Sequence, residues 1–348
     1  MSGQEAAATK ISLAAKLVFI LLAGTLSMFF AEVLSGSSVL WFVSPWAWLV
    51  TFWLYLAHFL LFINLAFIFK RTSLTALYLW GVLFGLYEAW ITKVTWAGYI
   101  GSEPGWGKIL GFAFPELPLI VFFWHPVFAF ILPALCFEIL SGESRILPGH
   151  RGILTKKRRN WMLAIAVVII GAAFLSLNAR GNVLAVVLSI LGSATIAGIL
   201  YWIASRRYGR QFSLESLRLG KTGMTILLGY LALLYLVTFV FLLPERIASP
   251  LTILLTFCIY AVIVLLLYLK KPDEPGAGDL APETRHFSRK DLVVMLAMLT
   301  ILGIVCSLLV PLISIPIVIL YLALVIAGPV LLLVTLWDIW KDRRRKGL

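Results

Sequence analysis

Long apolar runs separated by short polar clusters make up most of this chain, and the runs have the length of membrane crossings. Stretches at 14–34, 46–69, 74–97, 117–140, 161–178, 183–205, 222–243, 250–269, 291–310 and 317–337 are each long enough to cross a ~30 Å hydrocarbon core as a helix. Lipid offers no partner to a free N–H or C=O, so each run must close its backbone hydrogen bonds internally. The alternating ten-residue segments of a membrane barrel are absent. The pattern therefore predicts an all-α polytopic integral membrane protein of about ten transmembrane helices. Lys10 and Lys16 precede the first run as they would in a secretory signal, but the run is too long for one and ends on Glu32, so an uncleaved first span is expected.

Composition agrees. Of the 348 residues 61% are hydrophobic and only 13% charged, about half the charged share of a soluble domain. The charges also alternate in sign of placement. With a cytoplasmic N-terminus, the inner segments carry 25 Lys and Arg and the outer segments carry three, Lys108, Arg180 and Arg246. That asymmetry predicts cytoplasmic N- and C-termini and a cell-membrane location. The net charge of +13 is then mostly this inward bias, with anionic lipid headgroups on the cytoplasmic face as expected partners. Basic runs such as 156–159 and 343–346 flank spans, so no nucleic-acid partner is expected. Cys136, Cys258 and Cys306 all fall inside spans without ligand spacing, which predicts reduced packing residues.

Texture divides the chain. Residues 1–140 hold nine of the 13 tryptophans and most of the ionisable residues at membrane depth. They are read as a four-span N-terminal module. A basic loop at 141–160 leads to a six-span module at 161–348 with a basic tail, built from three hairpins with short outer turns at 178–182, 244–249 and 311–316. The segment 270–290, rich in Pro and Gly, is expected to be a flexible inner loop. Gly81 and Gly85 form a small-residue pair in the third span, and Ser189, Ser193 and Ala197 form a similar stripe in the sixth; both predict close helix packing. Trp41, Trp46, Trp48, Trp96 and Trp106 fall where an outer aromatic belt is expected, while Trp53, Trp90 and Trp124 lie deeper.

The chemistry lies in the polar residues inside the spans. A charged side chain at a helix centre costs roughly 2.5–3.5 kcal/mol on insertion scales, so such residues face protein or water. Glu88 sits 14 residues into the third span, about 21 Å from the inner boundary, and His125 sits eight residues into the fourth, about 12 Å from the outer one. The two thus fall at nearly one depth. Glu32, Glu116 and Lys93 fall in the same outer half, and His58 near the midplane. These six are the candidate substrate or ion site. Lys93 has a structural alternative as a snorkelling residue, Glu32 as a span terminator, Glu116 as a first-turn carboxylate suited to the helix dipole and His58 as a packing residue. The structural alternative is weakest for Glu88, which is too deep to snorkel easily, and the bend expected from Pro126 and Pro133 lets His125 line a cavity. Glu138 is read as interfacial.

Absent motifs narrow the options. There is no phosphate-binding loop, nucleophile elbow, paired CxxC or HExxH, so no cofactor and no metal are expected. Glu88 has no acidic neighbour, so the adjacent glutamate pair of intramembrane CAAX-type proteases is missing. Three functions remain: a transporter or carrier of a small solute or ion, a membrane-embedded enzyme acting on a lipid-linked substrate at the outer leaflet, and a non-catalytic subunit with a membrane-protein partner.

Overall fold

The computed structural model describes residues 11–344, except 100, 102, 103, 105, 144, 145, 275, 278 and 280–285. Lys10, Arg145, Arg285, Arg345 and Lys346 of the basic tally, and Pro275, Gly278 and Pro282 of the inner loop, lie outside the described residues.

Among the described residues the regular structure is helical, apart from a hairpin of two short strands, β1 (Lys108–Ile109) and β2 (Phe112–Ala113). Helix α1 (Leu13–Met28) starts where the Ser12 hydroxyl accepts from the Ala15 N–H at 3.1 Å, and it runs on as a π-helical turn at Phe29–Val33. Helix α2 (Phe52–Ile68) is preceded by another π turn at Ala47–Thr51. The fourth span starts with α6 (Glu116–Leu119), continues as a twelve-residue π-helical stretch at Ile120–Ile131, and ends as α7 (Leu132–Ser141). Beyond it come α8 (Pro148–Leu154), α9 (Lys157–Asn178), α10 (Val183–Tyr208), α11 (Lys221–Phe241), α12 (Pro250–Leu269) and α13 (Arg289–Arg344). Among the described residues, eight helices are long and apolar enough to cross a membrane.

Eight helices and ten expected spans are reconciled by two departures. The third span is not one helix. It breaks into α3 (Leu74–Gly85), α4 (Tyr87–Trp90) and α5 (Val94–Ala97), with Lys93 between the last two at a left-handed φ of 57°. The break falls beside Glu88, where the Thr92 hydroxyl donates to the Glu88 carbonyl at 3.0 Å and to its carboxylate. Conversely, α13 joins two expected spans. A straight helix of its 56 residues would be about 84 Å long. Instead it doubles back: Ser307 and Val310 lie against Gly181 at one end, while Met295 and Asp338 line one cavity at the other. Pro311 and Pro316 sit at the reversal, and no loop intervenes. The expected turn at 311–316 is thus helical.

Side chains of neighbouring spans meet carbonyls of the proline-containing fourth span. The Phe122 oxygen accepts from the Tyr78 hydroxyl at 2.8 Å, and the Ala129 oxygen accepts from the Ser27 hydroxyl at 2.8 Å. In the π turn of the first span, the Ala31 carbonyl accepts from the Trp124 indole at 2.9 Å. The first, third and fourth spans are therefore tied together by side-chain-to-backbone hydrogen bonds.

Gly81 and Gly85 set the spacing. A Cβ at Gly81 would lie 2.4 Å from Pro126 Cα, and one at Gly85 3.0 Å from His125 Cβ. Helix α3 thus lies directly on the fourth span. The Ser189–Ser193 stripe has a different partner from the helix expected: Ser189 Oγ accepts from the Leu40 N–H and Ser193 Oγ from the Trp41 indole, each at 2.9 Å. Trp41 and Trp96 are consequently buried at 0% and 1% exposure, not part of an outer belt, whereas Trp46, Trp48 and Trp106 are exposed.

At the end carrying the basic loops, cations cap helix ends. Lys16 donates to the Arg218 carbonyl, Arg71 to that of Leu267, and Arg289 to those of Leu140 and Ser141 at 3.0 and 3.2 Å. The expected loop at 141–160 is partly helical, since α8 and the first turns of α9 occupy it. Glu138, at the inner end of the fourth span, is buried beneath it. Its carboxylate lies 2.5 Å from His150 Nδ1 and accepts from the Leu147 N–H at 2.5 Å.

Candidate functional site

Three of the six candidate residues meet in one polar cluster, Glu32 and His125 joined through tyrosine hydroxyls and Glu88 at ion-pair distance from His125. Glu88 Oε1 lies 3.5 Å from His125 Nε2. His125 Nε2 is 3.2 Å from both the Tyr55 and the Tyr87 hydroxyl oxygens. Tyr87 donates to Tyr55 at 2.8 Å, and Tyr55 donates to Glu32 Oε1 at 2.6 Å. Ser38 closes the far end, donating to Glu32 Oε2 at 2.5 Å. All five main members but Glu32 are buried, and Glu88 keeps only 10% of its side chain exposed.

Each acidic or imidazole member sits where α-helical hydrogen bonding is interrupted. Glu32 is in the π turn of the first span, His125 is in the π stretch of the fourth, and Glu88 is the second residue of the short α4 after the break at Leu86. Such interruptions re-aim side chains and are frequent at functional sites. Polar backbone at membrane depth is tolerated because the surrounding protein meets it.

The protons in this cluster do not fill its acceptors. His125 Nδ1 lies 3.1 Å from the Ile120 carbonyl, which only accepts, so Nδ1 carries hydrogen. Nε2 of a neutral ring then needs a donor. Yet the Tyr87 proton goes to Tyr55, and the Tyr55 proton goes to Glu32. Two hydroxyl protons serve three acceptors. Either Tyr87 turns its proton to His125, or the ring takes a further proton and faces Glu88 as an imidazolium. Both arrangements need only hydroxyl rotation and one proton, with no movement of helices.

His58 has no such freedom. Its Nδ1 lies 2.8 Å from the Leu54 carbonyl and its Nε2 accepts from the Tyr235 hydroxyl at 2.9 Å, so both nitrogens are matched. It contributes a ring 5.0 Å from that of Tyr87. Lys93 also lies apart and does not snorkel. It is fully buried and donates from Nζ to the carbonyls of Thr238 at 2.8 Å, Phe239 at 3.2 Å and Leu242. It closes the end of α11, adding a donor to the Thr238 carbonyl, which also accepts from the Leu242 N–H at 3.0 Å, and meeting the Phe239 and Leu242 carbonyls at the helix end. Glu116 is buried as the first residue of α6, one turn before Ile120, whose carbonyl orients His125.

Tyr55 and Tyr87 were not among the sequence candidates, although they join the other three. A sequence signal existed: Tyr55 lies one turn before His58, and Tyr87 adjoins Glu88. Among the described residues, no group of three His, Cys, Asp or Glu is close enough to hold a metal ion.

Fold and site together define a multi-pass α-helical membrane protein with a buried polar cluster in its inner bundle. The chain belongs to a family described as an uncharacterized membrane protein family, whose model matches residues 21–341. It is also similar to a protein of Archaeoglobus fulgidus, itself described as an uncharacterized protein, with 35% identity over 133 residues. The match covers 38% of this chain and 41% of that relative, so the chain spans about two fifths of the length of the curated protein it matches. No solved structure matches the chain.

Proposed function

We propose that this protein is a proton-coupled carrier of a small solute or ion, with Glu88 and His125 as the pair that gains and loses the proton. The observation that carries the reading is the shortage of hydroxyl protons around His125 Nε2, which is linked through Tyr55 to Glu32 and lies 3.5 Å from Glu88. A carrier needs a group whose protonation changes which partners it holds, and this cluster can hold one more proton without rearranging its backbone. Ionisable residues buried in a membrane bundle mark ion pathways and proton relays by default. The broken third span adds support, because carriers form their sites where spanning helices are interrupted.

The test is uptake by the purified chain in liposomes containing a trapped pH indicator, screened against small cations, anions and neutral solutes. At least one solute is expected to enter together with a change in internal pH. Glu88→Gln is expected to abolish both while leaving the elution profile in detergent unchanged. Solute entry that is indifferent to the pH gradient and to Glu88→Gln overturns the reading. Altered lipid extracts in a deletion strain instead favour the lipid-acting enzyme, and copurification with a stable partner favours the subunit.

A further inference from the structure

Between α7, α9 and the two passes of α13 lies a cavity of about 760 Å³, within the usual range of small-molecule sites. Its wall is apolar from Phe30 and Val127, past Ile131 and Leu135, to Ile139. Val127 and Ile139 lie twelve residues apart on one span, so the opening extends about 18 Å along the membrane normal. One leaflet of a ~30 Å hydrocarbon core has about the same depth, roughly 15 Å.

The end toward the basic loops is polar, lined by Ser73, Thr75, Arg159, Asn160, Lys270 and Asp338. Lys270 is already neutralised, at 3.3 Å from Asp338 and 2.5 Å from Asp342. Arg159 is in no ion pair among the described residues. Asn160 is 3% exposed, and its Nδ2 donates to the Leu154 carbonyl at 3.3 Å, which fixes how the amide is turned. Its Oδ1 has no hydrogen-bond partner, nor does the buried Ser73 hydroxyl. A buried acceptor left unmet is destabilising, so the site is incomplete without a donor from outside the chain.

We infer that this cavity holds one membrane phospholipid from the leaflet on the basic side. Its phosphate rests at Arg159, a head-group hydroxyl or ammonium donates to Asn160 Oδ1, and one apolar chain follows the wall toward Phe30. Arginine suits a phosphate by its fork of donors. Oδ1 adds selectivity, because glycerol and ethanolamine heads carry a donor and a choline head does not. This inference stands apart from the carrier reading, since none of the cluster's five main members lines the cavity.

Native mass spectrometry of the detergent-purified full chain, titrated with phosphatidylglycerol, phosphatidylethanolamine or phosphatidylcholine of matched chains, tests it. The wild type is expected to retain one phospholipid and to bind the choline form about fivefold more weakly, the value of one hydrogen bond. Asn160→Leu is expected to erase that preference, and Arg159→Gln to weaken all three lipids about tenfold or more. Leu135→Trp, which fills the apolar part, is expected to abolish retention, and Glu88→Gln to leave it unchanged. Equal binding of the three headgroups by the wild type overturns the inference without any variant. Full retention by a folded Leu135→Trp does so too.

Discussion

The first four spans and the helices that follow α9 are all strongly apolar but are used differently. In the fourth span 78% of the most apolar stretch is buried inside the protein, and in the second span 67%; in α11 the share is 17% and in α10 22%. The inner bundle keeps polar side chains and irregular backbone because protein surrounds them. The outer helices offer Leu, Ile and Val to lipid and hold few polar groups. Helix α9 sides with the bundle, at 56% buried, with Gly171 against Leu34 and Phe174 beside Trp124. Mean hydropathy differs only modestly between the two roles, at 1.9–2.2 for the inner spans against 2.3–3.0 for the outer helices, since lipid tails are as apolar as leucine and reward neither face. What marks the interior is where polar atoms are afforded partners.

The largest expected effect tests the chemistry of the bundle. Glu88→Gln or His125→Ala should lower proton-coupled uptake by about 10²-fold or more, the usual contribution of a positioned proton donor or acceptor. Tyr55→Phe should lower it less, since Tyr87 still reaches His125. Liposome uptake at fixed pH gradient measures both. Equal loss from His58→Ala would blur the contrast between a matched and an unmatched imidazole.

Packing gives the next contrast. Gly81→Val places carbon against Pro126 Cα and should destabilise the protein by about 1–3 kcal/mol, the range for overpacking. Gly198→Val and Gly229→Val, on α10 and α11, have nothing within 4 Å of the added carbon and should leave thermal stability in detergent unchanged. If all three behave alike, the division into inner bundle and outer helices fails.

Lys93 links the two regions, and Lys93→Met should destabilise by about 1–3 kcal/mol by leaving the carbonyls of Thr238, Phe239 and Leu242 without their cation. Thermal unfolding followed by size-exclusion chromatography reads this directly, with the sharpest loss expected in the contacts of α11.

The smallest effect concerns pH. Glu143 lies outside the spans, and burial raises its carboxyl from 4.5 to about 7, opposed in part by hydrogen bonds from the Leu214 N–H at 2.9 Å and the Ser141 hydroxyl at 3.3 Å. A carboxyl that is harder to ionise when folded holds its proton longer in the native state. Its unfavourable contribution is therefore absent below about 4.5 and complete above about 7, so stability should fall as pH rises through that window. Glu143→Gln should flatten that part of the pH–stability curve and stabilise the protein at pH 8.

Much of the site's placement was legible in the sequence. Counting the rise per residue brings Glu88 and His125 to one depth, and the prolines at 126 and 133 announce an irregular fourth span. The partners were not legible. Tyr55 and Tyr87 look like any other membrane tyrosines until the helices are packed. Nothing local shows that Ser27 and Tyr78 meet the Ala129 and Phe122 carbonyls near those prolines, or that Lys93 turns away from Glu88 toward α11. The break of the third span was hidden for the same reason. Its residues are apolar enough to continue as a helix, and only neighbouring donors and acceptors make an interruption tolerable.

The sequence by itself determined the helical class and the multi-pass membrane character, because each apolar run must satisfy its own backbone wherever lipid replaces water. Only the tertiary structure decided which acids and imidazoles share protons, because that depends on side chains from four separate segments arriving within about 3 Å of one another. Backbone pairing in a membrane is local to each helix, whereas the partner of a buried side chain is set by how the helices pack.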